Sequence, residues 1–285
     1  MTYIVLDPRF DACTVAGGMA EQVWTGGQWV EGPAWLEEGY LVWSDIPNDR
    51  MLRWDATGAS TFRQPSGKAN GNTVDREGRL VTCEGNGRRI TRTEADGQIT
   101  VLTDNFQGKL FNAPNDVVVK SDGSIWFTDP RYGDGAPELA GCHVYRLDPA
   151  TGHVRQMTSD MVMPNGLAFS LDETELFVVD TGSTAVPDGP NHIRRFQVGP
   201  GSWLTGGAVF AQNAAKSFDG LRFDSEGRLW CGAEDGVHCY ALDGTLIGKI
   251  TLPERAANLT FGPSGWLFIT ATTALYRVPV NAQRP

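Results

Sequence analysis

No stretch of this 285-residue sequence is apolar for long enough to cross a bilayer. The start, Met1-Thr2-Tyr3-Ile4-Val5-Leu6-Asp7-Pro8, lacks the basic residues and apolar run of a secretion signal. Both absences predict a cytoplasmic protein with no membrane partner. Basic runs interleaved with aromatics are missing too, and 24 Lys and Arg face 34 Asp and Glu for a net charge of −10, so nucleic acid is not an expected ligand. Cysteine is scarce. Cys13, Cys83, Cys142, Cys231 and Cys239 form an odd set with no CxxC pair, which predicts reduced thiols, with Cys231 and Cys239 the one candidate disulfide. The sequence has no Gly-x-Ser-x-Gly elbow, no dinucleotide glycine fingerprint and no phosphate loop. Helical periodicity is absent over any useful length.

What is present is a repeat. A short polar lead enters an apolar strand, a Gly-containing turn follows, and a second apolar strand ends on a polar residue. Glu31-Gly32-Pro33-Ala34-Trp35 leads to Tyr40-Leu41-Val42-Trp43-Ser44-Asp45, and Asn70-Gly71-Asn72-Thr73-Val74 to Arg79-Leu80-Val81-Thr82-Cys83-Glu84. The same unit restarts at Asn115, Asn165, Asp219 and Asn258. A period of roughly 40 to 50 residues built from short strands predicts an all-β, six-bladed β-propeller with four-stranded antiparallel blades. One such sheet cannot bury its own face, so residues 1–285 are read as a single domain, with the segment around Glu21-Gln22-Val23-Trp24 as a strand completing the last blade.

In a propeller the first strand of each blade lies nearest the axis. Glu31, Asn70, Asn115, Asn165, Asp219 and Asn258 are therefore expected to converge at one mouth of the central channel. Asp-Gly and Asn-Gly are ordinary turn pairs, and turn chemistry explains any one of these positions; six aligned polar residues argue for an axial site. The second strand of a hairpin returns to the same rim, where Asp45, Glu84, Asp129 and Asp180 add carboxylates in blades 1 to 4. Such oxygen-rich surroundings suit Ca²⁺, or Mg²⁺ and Mn²⁺ with stricter geometry. They disfavour Zn²⁺, because the four histidines lie elsewhere in the repeat.

The segments Glu31-Gly32-Pro33, Asn115-Asp116-Val117-Val118-Val119, Pro164-Asn165-Gly166-Leu167-Ala168-Phe169 and Phe218-Asp219-Gly220 resemble the regucalcin/gluconolactonase family of sugar lactonases, related to diisopropyl fluorophosphatase. The likeness runs from about Glu31 to Arg277. It implies a metal-dependent hydrolase that opens a small sugar lactone to the aldonic acid, using an axial divalent cation, calcium first and Mg²⁺, Mn²⁺ or Zn²⁺ as alternatives. It further implies that Glu31, Asn165 and Asp219 bind the metal and that Asn115 completes the site or holds substrate. Asp219 would double as general base or nucleophile. Asn70, Asp129 and Tyr132 join Asn115 as candidate substrate contacts, with the Pro- and Gly-rich loops 131–141 and 183–191 shaping specificity. Ala113 and Gly85 depart from the family, whose members frequently have a basic residue and a histidine there. Two other readings stand beside the lactonase: a phosphotriesterase-like hydrolase using the same cation, and a non-catalytic calcium-binding propeller. The chain is expected to act as a monomer or homodimer.

Overall fold

The computed structural model of the protein describes residues 2–212 and 218–285. It is a six-bladed propeller, nearly all strand, with only short 3₁₀ turns such as Pro8–Cys13. Blade 1 runs Val30–Leu36, Tyr40–Asp45, Arg50–Asp55 and Gly58–Arg63, each strand antiparallel to the next. Blades 2, 3, 4 and 5 start their inner strands at Ala69, Val117, Pro164 and Leu221. Blade 6 contributes Ala256–Phe261, Trp266–Ala271 and Ala274–Pro279, and Glu21–Thr25 hydrogen-bonds beside the last of these as its outer strand. Tyr3–Val5 adds a fifth strand to blade 5, along Leu246–Thr251, an addition the repeat does not foreshadow. Among the described residues no helix is long and apolar enough to cross a membrane.

The second strands explain why the sequence reads as apolar runs. Each is buried on both faces, so consecutive residues, pointing opposite ways, serve opposite neighbours. In blade 1, Trp43 packs with Phe268 and Leu275 of blade 6, whereas Val42 packs with Ala69 and Leu80 of blade 2. In blade 3, Phe127 joins Val81 and Cys83 of blade 2 while Trp126 joins Leu167 and Val178 of blade 4. Six apolar clusters result, one at every blade boundary. Each buried Trp or Phe is worth about 1.5–3 kcal/mol by area, so the ring is held between blades rather than within them.

The same alternation decides the cysteines. Cys231 packs toward blade 4 and Cys239 toward blade 6, on opposite faces of blade 5, and all five thiols are free and buried. A Cys231–Cys239 disulfide is thereby excluded.

Candidate metal centre

The inner strands do not pass the axis in regular register. In blades 1, 2, 4 and 6 the ladder is broken at the polar position: between Glu31 and Ala34, Ala69 and Asn72, Pro164 and Leu167, and Ala256 and Asn258. A bulge re-aims a side chain, in blades 1, 2 and 4 toward the channel mouth. In blades 3 and 5, Asn115 and Asp219 sit just before the strand and are held by backbone bonds, Asn115 N–H to the Thr128 carbonyl at 2.9 Å and Asp219 N–H to the Gly232 carbonyl at 3.0 Å.

The residue after the polar position is set by blade-to-blade approach. A Cβ on Gly71 would lie 2.5 Å from the Asn115 carbonyl oxygen, and one on Gly166 2.4 Å from the Asp219 carbonyl oxygen, with Gly32 and Gly220 equally crowded by blades 2 and 6. The Asn-Gly and Asp-Gly pairs are therefore close-packing devices around the axis and not turns. Blade 3 carries Asp116 in the glycine slot, and its buried carboxylate lies within the ring. Its Oδ1 accepts from Val117 N–H at 2.9 Å, and its Oδ2 faces Arg222 at 3.3 Å and Asn258 at 3.4 Å.

Glu31, Asn70, Asn115, Asn165, Asp219 and Tyr132 line one cavity of about 350 Å³ at this mouth, together with Trp29, Lys68, Asp134 and Arg255. Glu31, Asn115, Asn165 and Asp219 are all buried. Burial, then the charges of Asp219 and Asp116, push the Glu31 carboxyl well above its ordinary range, against hydrogen bonds from Gly32 N–H and Asn258. Burial likewise pushes Asp219 up to about 6, although Arg255, bonded to its Oδ2 at 2.9 Å, and Asn165 pull it down. Two carboxyls are thus held out of water, with neutral amides beside them. Tyr132, from loop 131–141, bonds its hydroxyl to Thr181, and Thr184 of loop 183–191 lines the same cavity.

Asn258 does not reach the cavity wall. Its Oδ1 accepts from Leu259 N–H at 2.9 Å and its amide turns inward to Asp116. Asp129, a candidate substrate contact, is likewise placed off the cavity wall: it is fully buried and accepts from the Asn112 and Ala113 amides at 2.9 and 2.8 Å. Burial raises it to about 7 despite these bonds. Its partners on the rim behave alike. Asp180 takes the Val162 and Met163 amides at 2.9 and 2.8 Å, Asp45 takes the Gln28 amide at 3.1 Å, and Glu84 pairs with Arg63 and Arg89. Asp45, Asp129 and Asp180 clasp the chain just ahead of the axial residues, and Glu84 is taken up by its arginines; a carboxylate with its lone pairs filled by N–H groups has none to give a ligand.

The cavity's cations were not legible. Arg255 has no counterpart in the repeat, and it is placed by its neighbour Glu254, whose carboxylate clasps Thr273 N–H at 2.8 Å and the Tyr276 hydroxyl at 2.9 Å. Lys68 reaches the exposed Asp134 at 2.9 Å. Asp116 did carry a signal, as the one acid standing where four blades have glycine.

The donor set fits a hard divalent cation. Among the described residues no three His, Cys, Asp or Glu side chains gather in a metal-binding group, so a cation here would rest on two carboxylates and amide oxygens, a set suited to calcium and not to zinc.

Fold and site together define a six-bladed propeller with an acid–amide pocket on its axis. Residues 29–273 match the SMP-30/Gluconolactonase/LRE-like region, and the chain belongs to that family. It is 31% identical to a gluconolactonase of Zymomonas mobilis over 95% of this chain and 84% of that one, and 30% identical to a 6-deoxy-6-sulfogluconolactonase of Pseudomonas putida over 79% and 76%. The solved structure of a gluconolactonase from Xanthomonas campestris superimposes with a TM-score of 0.91 at 36% identity, covering 98% of this chain and 95% of that one.

Proposed function

We propose that this protein is a cytoplasmic, metal-dependent lactonase that opens a small sugar lactone to the aldonic acid. Glu31, Asn165 and Asp219 would hold a divalent cation, calcium in the first place, with Asn115 completing the set or touching substrate. The observation that carries this reading is the pair of buried carboxyls, Glu31 and Asp219, facing one cavity with amides beside them. The gluconolactonase relatives supply the substrate class, and five free, buried thiols support a reducing compartment.

When bound, the cation polarises the lactone carbonyl and stabilises the developing oxyanion. Asp219 takes the proton of the attacking water as that water's oxygen bonds to the carbonyl carbon. The ring C–O bond then breaks, and Asp219 returns the proton to the departing hydroxyl. Arg255 fixes the orientation of the Asp219 carboxylate through Oδ2. Asn70 and Tyr132, on the cavity wall, contact the sugar, with Tyr132 held by Thr181.

The test is a chelator titration with gluconolactone. Hydrolysis should vanish with EDTA and return with calcium, and Asp219→Asn should abolish it while keeping the fold. Full activity in either arm ends the metal or the base assignment. A fluorophosphonate run alongside separates the phosphotriesterase alternative, and absence of any hydrolysis favours a calcium-holding propeller.

A further inference from the structure

Five charged side chains line the axial cavity: Glu31, Asp219 and Asp134 against Lys68 and Arg255. Their pairings differ in strength. Arg255 meets a carboxylate whose side chain is only 5% exposed, whereas Lys68 meets Asp134, whose side chain is 76% exposed, and a pair that open to solvent is easily exchanged. Arg255 is also held from both sides. Its guanidinium lies over the Trp29 ring at 5.2 Å, and its bond to Asp219 uses Nη2, one of several donors on the planar fork, so the group has donor capacity beyond that bond.

Resting on the lactonase reading above, the wall changes sign when the site is loaded. A divalent charge offsets Glu31 and Asp219, and Lys68 and Arg255 are then opposed by Asp134 alone. We infer that the substrate is a lactone bearing an anionic substituent, a carboxylate, phosphate or sulfonate, with Arg255 and Lys68 as the specificity-determining residues that receive it. A neutral polyol lactone would leave this excess cation facing hydroxyl groups, which compensate it less well than an anion in a partly desolvated cavity. Arg255 suits the role by its planar fork, and Lys68 by its reach from the rim.

The test compares 6-phosphogluconolactone with gluconolactone on the calcium-loaded protein, and 6-phosphogluconate with gluconate as non-reacting ligands by calorimetry. The wild type should favour the phosphorylated lactone in kcat/KM by about tenfold or more at low salt, with the margin shrinking in 0.5 M NaCl. It should bind 6-phosphogluconate more tightly than gluconate. Lys68→Gln and Arg255→Gln should each lower the phosphorylated-to-neutral ratio by about tenfold. Lys68→Gln serves as the independent variant, since Lys68 touches neither buried carboxyl. Equal kcat/KM for the two lactones, or a ratio that neither variant moves, overturns the inference while gluconolactone hydrolysis leaves the lactonase reading standing. If neither lactone is opened, the lactonase reading falls, and the inference with it.

Discussion

Arg255 and Asp219 come from blades 6 and 5, lie 36 residues apart in sequence, and meet at 2.9 Å through Arg255 Nη2 and Asp219 Oδ2 in the wall of the axial cavity. The pair gives the buried carboxylate its one close counter-charge among the described side chains of the wall, and that charge falls short of reversing the effect of burial.

The shortfall makes stability depend on pH. A carboxyl raised by folding binds more protons in the native state than in the unfolded one between its two pKa values, so stability is lost as pH rises through that window. For Asp219 the window runs from 3.8 to about 6, for Asp129 from 3.8 to about 7, and Glu31 shifts the same way. Asp219 alone should cost the cation-free protein about 3 kcal/mol at neutral pH. Calcium should therefore raise Tm more at pH 7.5 than at pH 5, because protons and cation compete for the same oxygens. Thermal melts with EDTA or calcium across this range check it, and a calcium shift independent of pH speaks against these ligands.

Asp180 should matter to the metal without touching it. Its carboxylate holds the Val162 and Met163 amides, three and two residues ahead of Asn165. Asp180→Ala strands those N–H groups and should destabilise the fold by about 1–3 kcal/mol. Calcium affinity, measured by calorimetry, should weaken together with stability in urea. Unchanged affinity would confine the clasp to a purely structural part.

Gly166→Ala is the smallest change expected to disturb the site. The added methyl carbon would sit 2.4 Å from the Asp219 carbonyl oxygen and 2.7 Å from Gly220 Cα, contacts that only a shift of backbone relieves. A loss of about 1–3 kcal/mol in urea unfolding should accompany a fall in lactone turnover. Normal stability and turnover would show that blades 4 and 5 are not pressed together as described.

Tyr132 and Thr181 offer a separate check on the loops. Tyr132→Phe removes the hydroxyl that bonds Thr181 and should raise KM for the lactone several-fold with a small change in Tm, since the residue is 43% exposed. Steady-state kinetics beside a melt distinguish this from loss of fold.

The propeller was legible because its cause is local. A strand buried on both faces must be apolar at consecutive positions, and Val42-Trp43, Leu80-Val81, Trp126-Phe127, Phe177-Val178, Leu229-Trp230 and Leu267-Phe268 repeat that pattern in the six blades with turns between. Convergence of Glu31, Asn70, Asn115, Asn165 and Asp219 on one cavity likewise follows from repeat and topology together. The direction of each side chain was a different matter. Asp129 and Asp180 occupy the rim in sequence and topology alike, yet the backbone amides nearby take their oxygens; Asn258 has the same repeat position as Asn165 and turns to Asp116. Arg255 lies outside every repeated position.

The sequence by itself determined the architecture, the blade count and the set of axial residues, since these depend on short-range patterning repeated along the chain. Tertiary structure alone decided which carboxylates remain free, that the glycines after them are demanded by blade contact, and that Arg255 stands against Asp219. Those outcomes depend on distances between blades, and close packing and desolvation act only once the ring has closed.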